Sequence, residues 1–309
     1  MEASAPTPSS FRVALGRQAL AHPLTSLALA LAMLAIIVLM ISSVWDLVRA
    51  TGDGMPAWGL LGGGAGFVAT SLGALGAVVL RRLSTLAEDS MLGFAAGMML
   101  AASSFSLILP GLEAAGRLTG NDWLGALTVV LGLGLGAALM MGLDTLTPHA
   151  HPQTGPCGAA PERLNRVWLF VMAITLHNLP EGMAIGVSFA GGDLGVGLPL
   201  TSAIAIQDIP EGLAVAMALR SAGIGVFKAA LLAGATGLME PAGALVGLGL
   251  SSGLAIAYPV GLGLAAGAML FVVSHEVIPE THRNGHQTPA TLGLMLGFAL
   301  MMVLDTVLG

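Results

Sequence analysis

Two short stretches of the chain carry the side chains best suited to chemistry, and each echoes the other: Leu176-His-Asn-Leu-Pro-Glu-Gly182 and Ile206-Gln-Asp-Ile-Pro-Glu-Gly212. In a helix His177 and Glu181 are spaced i, i+4 and share a face, as do Gln207 and Glu211, with Asn178 and Asp208 one position beside each. Two such faces, joined by the acid Glu240, form a cage of one imidazole, several carboxylates and two amides. That donor mixture suits a borderline divalent metal better than soft Cu(I), with zinc first. Three or four carboxylates exceed what one divalent ion needs. The cage therefore has room for two metals bridged by Glu181 or Glu211.

The elements that must position these residues are membrane helices. The 309 residues are 55% hydrophobic and only 9% charged, against roughly 25% charged in soluble domains. The 44 glycines suit helices that approach closely in lipid. Apolar runs of about 20 residues fall at 24–45, 58–80, 91–113, 123–143, 166–189, 198–219, 226–250, 257–280 and 291–308. The first run is longer than the roughly 7 to 15 residues of a signal-peptide core, so it reads as an extra membrane helix. Glu181, Asp208, Glu211 and Glu240 lie near the middle of their runs, with no Lys or Arg at that depth. An acid there costs about 2.5–3.5 kcal/mol, so four cost on the order of 10 kcal/mol. Protons or a bound cation must offset that.

The third run contains Gly93-Phe-Ala-Ala-Gly-Met-Met-Leu100 and the eighth Gly263-Leu-Ala-Ala-Gly-Ala-Met-Leu270, a shift of 263 − 93 = 170. Leu139-Met-Met-Gly-Leu-Asp-Thr145 in the fourth matches Leu300-Met-Met-Val-Leu-Asp-Thr306 in the ninth. More weakly, Gly73-Ala-Leu75 in the second run echoes Gly243-Ala-Leu245 in the seventh at the same shift of 170, so runs two to four resemble runs seven to nine. Partners five runs apart cross the membrane in opposite directions, which makes an inverted repeat. The expected fold is all-α and integral to the membrane: an eight-helix 3+2+3 inverted-repeat bundle plus one N-terminal transmembrane helix. Residues 1–56 form the tail and extra helix. Residues 57–309 form one domain, comprising a repeat (57–144), a loop (145–165), a central helix pair (166–220) and a second repeat (226–309). Pro180 and Pro210 each remove one helical hydrogen bond, freeing the carbonyls of Leu176 and Ile206, and the same prolines could serve only to shape the bundle.

With the N-terminus in the cytoplasm, only Arg49 and Arg117 of the 11 basic residues fall outside. This positive-inside bias puts the C-terminus outside and the loop with His149 and His151 in the cytoplasm. The only cysteine, Cys157, excludes an intrachain disulfide, and nothing suggests nucleic acid. No glycosylation sequon falls on an outward loop, which is compatible with a bacterial inner membrane.

The tandem Pro-Glu-Gly motif, the first copy with His-Asn before it, resembles the ZIP (Zrt-/Irt-like) metal transporters over runs two to nine. The resemblance implies import of zinc and related ions into the cytoplasm, with His177, Asn178, Glu181, Gln207, Asp208, Glu211 and Glu240 as ligands to the transported metal. Many members carry His at the position of Gln207, and a cytoplasmic loop richer in histidine. The metal is cargo and no cofactor is expected. The implied partners are divalent ions, the bilayer and a second copy in a homodimer. Along the route, His149, His151, His275, Glu276, Glu280 and His286 would receive metal on the cytoplasmic side. Glu113, Ser106 and Asp305 lie toward the outside. Met99, Ala102, Leu200 and Ile204 would form an apolar outer gate.

Blander readings stand beside these. A lone polar residue such as His275 or Ser106 can serve only an interhelical hydrogen bond, and the Gly-x-x-x-Gly motifs Gly93–Gly97 and Gly263–Gly267 point to packing or dimer contact. Met140 and Met141 read as core filler or lipid-facing residues. An intramembrane metalloenzyme would want His-Glu-x-x-His, but His275-Glu276 is followed by Val277, Ile278 and Pro279 with no second histidine. The chain is therefore not read as an enzyme. A proton or organic-cation carrier would use the same acids without metal.

Overall fold

A computed structural model describes residues 55–80, 84–146, 149–151, 155–157, 166–221, 223–251 and 255–308, with six isolated positions between 27 and 41. The extra N-terminal helix lies outside the described residues except at Leu27, Leu31, Leu34, Ile37, Val38 and Ile41, which are helical and exposed. The described helices are α1 (Met55–Val79), α2 (Thr85–Ala102), α3 (Leu109–Thr119), α4 (Asp122–Leu146), α5 (Arg166–Ala190), α6 (Leu194–Ser221), α7 (Val226–Thr236), α8 (Met239–Leu250), α9 (Ala257–Val272), α10 (Ile278–Thr281) and α11 (Gln287–Leu308). Among the described residues, seven helical stretches are long and apolar enough to cross a membrane. The chain is a multi-pass membrane protein. The all-helical expectation needs one addition: β1 (His149–His151) and β2 (Gly155–Cys157) pair antiparallel within the segment read as a loop, His149 opposite Cys157.

Small residues set the helix crossings. A Cβ on Gly97 of α2 would lie 1.9 Å from the Leu294 carbonyl oxygen of α11, and one on Gly267 of α9 would lie 2.1 Å from the Leu133 carbonyl of α4. Only glycine admits backbones this near. The facing helices supply their own glycines, Gly293 and Gly297 on α11 and Gly132 and Gly136 on α4. The Gly-x-x-x-Gly motifs are thus engaged inside one chain. The same device joins α5 to α8 through Gly182, Gly186, Gly243 and Gly247, and α1 to α6 through Gly73 and Gly212.

The helix breaks lie away from the two conspicuous prolines of the central pair. Helices α5 and α6 continue through Pro180 and Pro210, so neither proline interrupts its helix. The seventh run is instead divided at Gly237 and Leu238, where Gly237 N–H donates to the Gly234 carbonyl and Glu240 N–H to the Gly237 carbonyl. These i→i+3 bonds tighten the backbone and begin α8 beside Glu240. The third and eighth runs carry π-helical segments, Ser103–Ile108 and Val273–Val277. Each meets a proline at the start of the next helix, Pro110 or Pro279. Proline offers no N–H, so the ladder changes register there.

Candidate metal centre

Helix α5 contributes His177, Asn178 and Glu181, α6 contributes Gln207, Asp208 and Glu211, and the first turn of α8 contributes Glu240. All seven side chains are buried. Glu181, Asp208 and Glu211 can each place a carboxylate oxygen within 4.8 Å of the other two. Gln207 Nε2 donates to Glu181 Oε1. Thr70 of α1 donates through Oγ1 to Glu240 Oε1 at 2.7 Å. Glu240 comes this close to α1 because the wall opposite is bare: a Cβ on Gly66 would lie 1.5 Å from Glu240 Oε2 and 3.2 Å from Asp208 Oδ2.

Each of the seven residues also keeps one buried polar atom with no hydrogen-bond partner: His177 Nε2, Asn178 Oδ1, Glu181 Oε2, Gln207 Oε1, Asp208 Oδ2, Glu211 Oε1 and Glu240 Oε2. A buried polar atom left unpaired costs about 1–3 kcal/mol, and native structures hold few of them. Here seven fall on one set of side chains, four of them carboxylates. Among the described residues none of the four acids has an ion-pair partner. All but one of these atoms are oxygens and the other is an imidazole nitrogen, a set that fits a hard or borderline divalent cation.

The chain is 60% identical to "Zinc transporter ZIPB" of Bordetella bronchiseptica, over 94% of each chain. It belongs to the ZIP family. The family model described as "ZIP Zinc transporter" matches residues 159–305. The chain is also similar to "Zinc transporter GufA" of Myxococcus xanthus, 46% identical over 80% of this chain and 100% of that one. The human "Zinc transporter ZIP11" is 31% identical over 72% of this chain and 88% of its own.

The flanking residues of this ZIP chain fall into three groups. Met99 and Ala102 of α2 and Leu200 and Ile204 of α6 are fully buried in one apolar cluster with Ile185, Phe189 and Met269. Ser106, in the first π segment, donates to Asp305 Oδ1 at 2.6 Å, whereas Glu113 is exposed and pairs with Arg117 at 3.9 Å. At the opposite ends of the helices, His275 and Glu276 of the second π segment converge with Asp144 of α4, and the three can place ligand atoms within 4.8 Å of one another. A small cleft is lined by Asp144 and Glu276 of that cluster and by His177 of the cage, together with Met140, Leu176, Phe271 and Val272. Glu280 pairs with Arg283 at 2.5 Å. His286 Nδ1 lies 2.8 Å from Asp89 Oδ2, and Asn284 donates to Asp89 Oδ1 at 2.9 Å. β1, which carries His149 and His151, lies against α5; their side chains are outside the described residues.

Sequence reasoning missed Asp144, Asp89 and Thr70. For Asp144 a signal existed. It occupies in the fourth run the place that Asp305 holds in the ninth, a shift of 305 − 144 = 161, while Ser106 precedes Glu276 by 276 − 106 = 170. The contact of Ser106 with Asp305 and the approach of Glu276 to Asp144 therefore join matching positions.

Proposed function

We propose that this ZIP chain moves zinc, and with it cadmium and related transition metals, across the inner membrane into the cytoplasm by alternating access. In this reading His177, Asn178, Glu181, Gln207, Asp208, Glu211 and Glu240 hold one or two metal ions in passage. The observation that carries the reading is the seven unpartnered polar atoms, one on each of those residues. The relatives' names bring zinc to this chain, and the oxygen-rich cage extends it to other divalent ions.

Two features support alternating access. Close glycine contacts join α1 to α6 and α5 to α8 on one hand, and α2 to α11 and α4 to α9 on the other. The first set carries the cage and the second would be its scaffold. The apolar cluster straddles the two sets, Met99 and Ala102 from the scaffold meeting Leu200 and Ile204 from the carrier. Closed there, and with its His177 lining the same small cleft as Asp144 and Glu276, the cage faces inward. Movement of one set against the other would open the path past Ser106 and Asp305. The 3+2+3 inverted repeat is supported by the π segments, which begin 170 residues apart at Ser103 and Val273, and by the matching contacts at the two ends.

Metal would shed water for the cage oxygens and His177. It would then leave by the cleft toward Asp144, His275 and Glu276, with Glu280, His286, His149 and His151 beyond. The excess of basic residues puts these inside and the C-terminus outside. A homodimer would have to form on surfaces other than the Gly-x-x-x-Gly faces, which are engaged within the chain.

The test is uptake of zinc and cadmium into liposomes holding the native chain, Glu181→Ala or Asp208→Ala. Metal flux in the native chain that falls at least tenfold in both variants is expected. Flux that is indifferent to metal would support a proton carrier instead.

A further inference from the structure

The geometry points to Thr70 as the positioning residue that presents Glu240 to the transported metal, in a space that Gly66 keeps open. The inference rests on the cage reading above and assigns to α1, which supplies none of the seven proposed ligands, control over one of them. The Thr70 hydroxyl holds Glu240 Oε1 at 2.7 Å, while Oε2 of the same carboxylate has no partner. One oxygen is anchored, and the other is turned to the place where Asp208 Oδ2, also unpartnered, approaches Gly66. A neighbour that fixes one side of a carboxylate sets how the other side meets a metal.

Two further observations make this more than an interhelical hydrogen bond. Thr70 and Glu240 stand 170 residues apart, the shift relating the second and seventh runs, so the contact joins matching positions of the two repeats. Their surroundings match as well. A Cβ on Gly182 of α5 would meet the Glu240 carbonyl oxygen at 2.0 Å, and one on Gly212 of α6 would meet the Thr70 carbonyl oxygen at 2.1 Å. Each Pro-Glu-Gly helix thus rests on one member of the pair, and the chain places an acid at one and a hydroxyl at the other. Thr70 Oγ1 also lies 3.2 Å from the Gly66 carbonyl oxygen in its own helix. A hydroxyl has one proton, and with a second acceptor at hand it stays satisfied when Glu240 turns away. The anchor can therefore release Glu240 without leaving a buried donor unpaired.

The test is equilibrium zinc and cadmium binding to the purified full-length chain, for Thr70→Val, Thr70→Ser, Glu240→Gln and the Thr70→Val, Glu240→Gln double variant. Thr70→Val should weaken apparent affinity about tenfold, the scale of a lost hydrogen bond to a charged group, and Thr70→Ser should stay within about twofold because it keeps the hydroxyl. In the Glu240→Gln background Thr70→Val should add nothing, since its effect runs through that carboxylate. Native affinity in Thr70→Val, or an equal loss with and without Glu240, would overturn the inference. Should Thr70→Val fail to fold, Gly66→Ala replaces it: its methyl would occupy the place of Glu240 Oε2, and it should reproduce the loss seen in Glu240→Gln. Native binding by Gly66→Ala would overturn the inference equally. If Glu240→Gln itself binds as the native chain does, the place of Glu240 in the cage fails first and the role of Thr70 with it.

Discussion

Gly182→Ala puts one methyl at the tightest point of the α5–α8 crossing, one residue from Glu181 and against the backbone of Glu240. The new Cβ would lie 2.0 Å from the Glu240 carbonyl oxygen and 2.7 Å from its Cα, where ordinary contact begins at 3.4 Å. Both obstacles are backbone, so no side chain can swing aside. The helices must part by about 1.4 Å, which carries Glu240 away from Glu181 and Asp208. Overpacking of this kind costs about 1–3 kcal/mol of stability. A displacement of about 1 Å in an arranged centre costs on the order of 100-fold in function. Zinc affinity should fall about 10- to 100-fold, and thermal unfolding should come a few degrees earlier, about 2–4 °C for each kcal/mol. Both are measured on purified protein, by zinc titration and by melting in detergent. Gly64→Ala is the control, because nothing lies within 4 Å of its Cβ position. If Gly182→Ala binds zinc and melts like Gly64→Ala, the crossing does not position the cage.

Three other perturbations separate parts of the account. Glu181→Ala removes a buried acid, worth about 2.5–3.5 kcal/mol, but leaves Gln207 Nε2 without its acceptor, which costs about 1–3 kcal/mol besides the cavity, so the metal-free melting point should move little, while the stabilisation by zinc, about 2.7 kcal/mol at a hundred times Kd in the native chain, should disappear; melting curves with and without zinc check both. Asp89→Ala leaves Asn284 and His286 without their carboxylate and should cost about 1–3 kcal/mol with zinc affinity unchanged, read by the same two assays. Leu200→Ala with Ile204→Ala opens the buried apolar cluster. It should admit a small thiol reagent from outside to a cysteine placed at Ala203, which labelling rates in sealed vesicles would report.

Much of the cage was legible because its chemistry is local. His177 and Glu181 share a face by spacing alone, and four acids deep in apolar runs demand a common neutralising partner. The helix crossings were half legible. Gly93–Gly97 and Gly263–Gly267 announced close packing, but their partners Gly293–Gly297 and Gly132–Gly136 are equally good motifs, and periodicity does not say which faces which. Thr70 was illegible because a threonine in a membrane helix ordinarily bonds its own backbone, as Thr175 does to the Val171 carbonyl. Asp89 was passed over because an acid near a helix start reads as solvated, whereas His286 and Asn284 reach it from a turn nearly two hundred residues away. The π segments depend on backbone register, and their one sign in the sequence is the proline that follows each, Pro110 or Pro279. The break at Gly237–Leu238 hides in a continuous apolar run, while the prolines that drew attention sit inside unbroken helices.

The most direct measurement is the number of zinc ions retained per chain after dialysis, compared between the native protein and a variant with Glu181, Asp208 and Glu211 all changed to alanine. The native chain should retain one or two more ions than the variant. An equal count in both would mean that the metal is held elsewhere and that the buried acids serve another purpose.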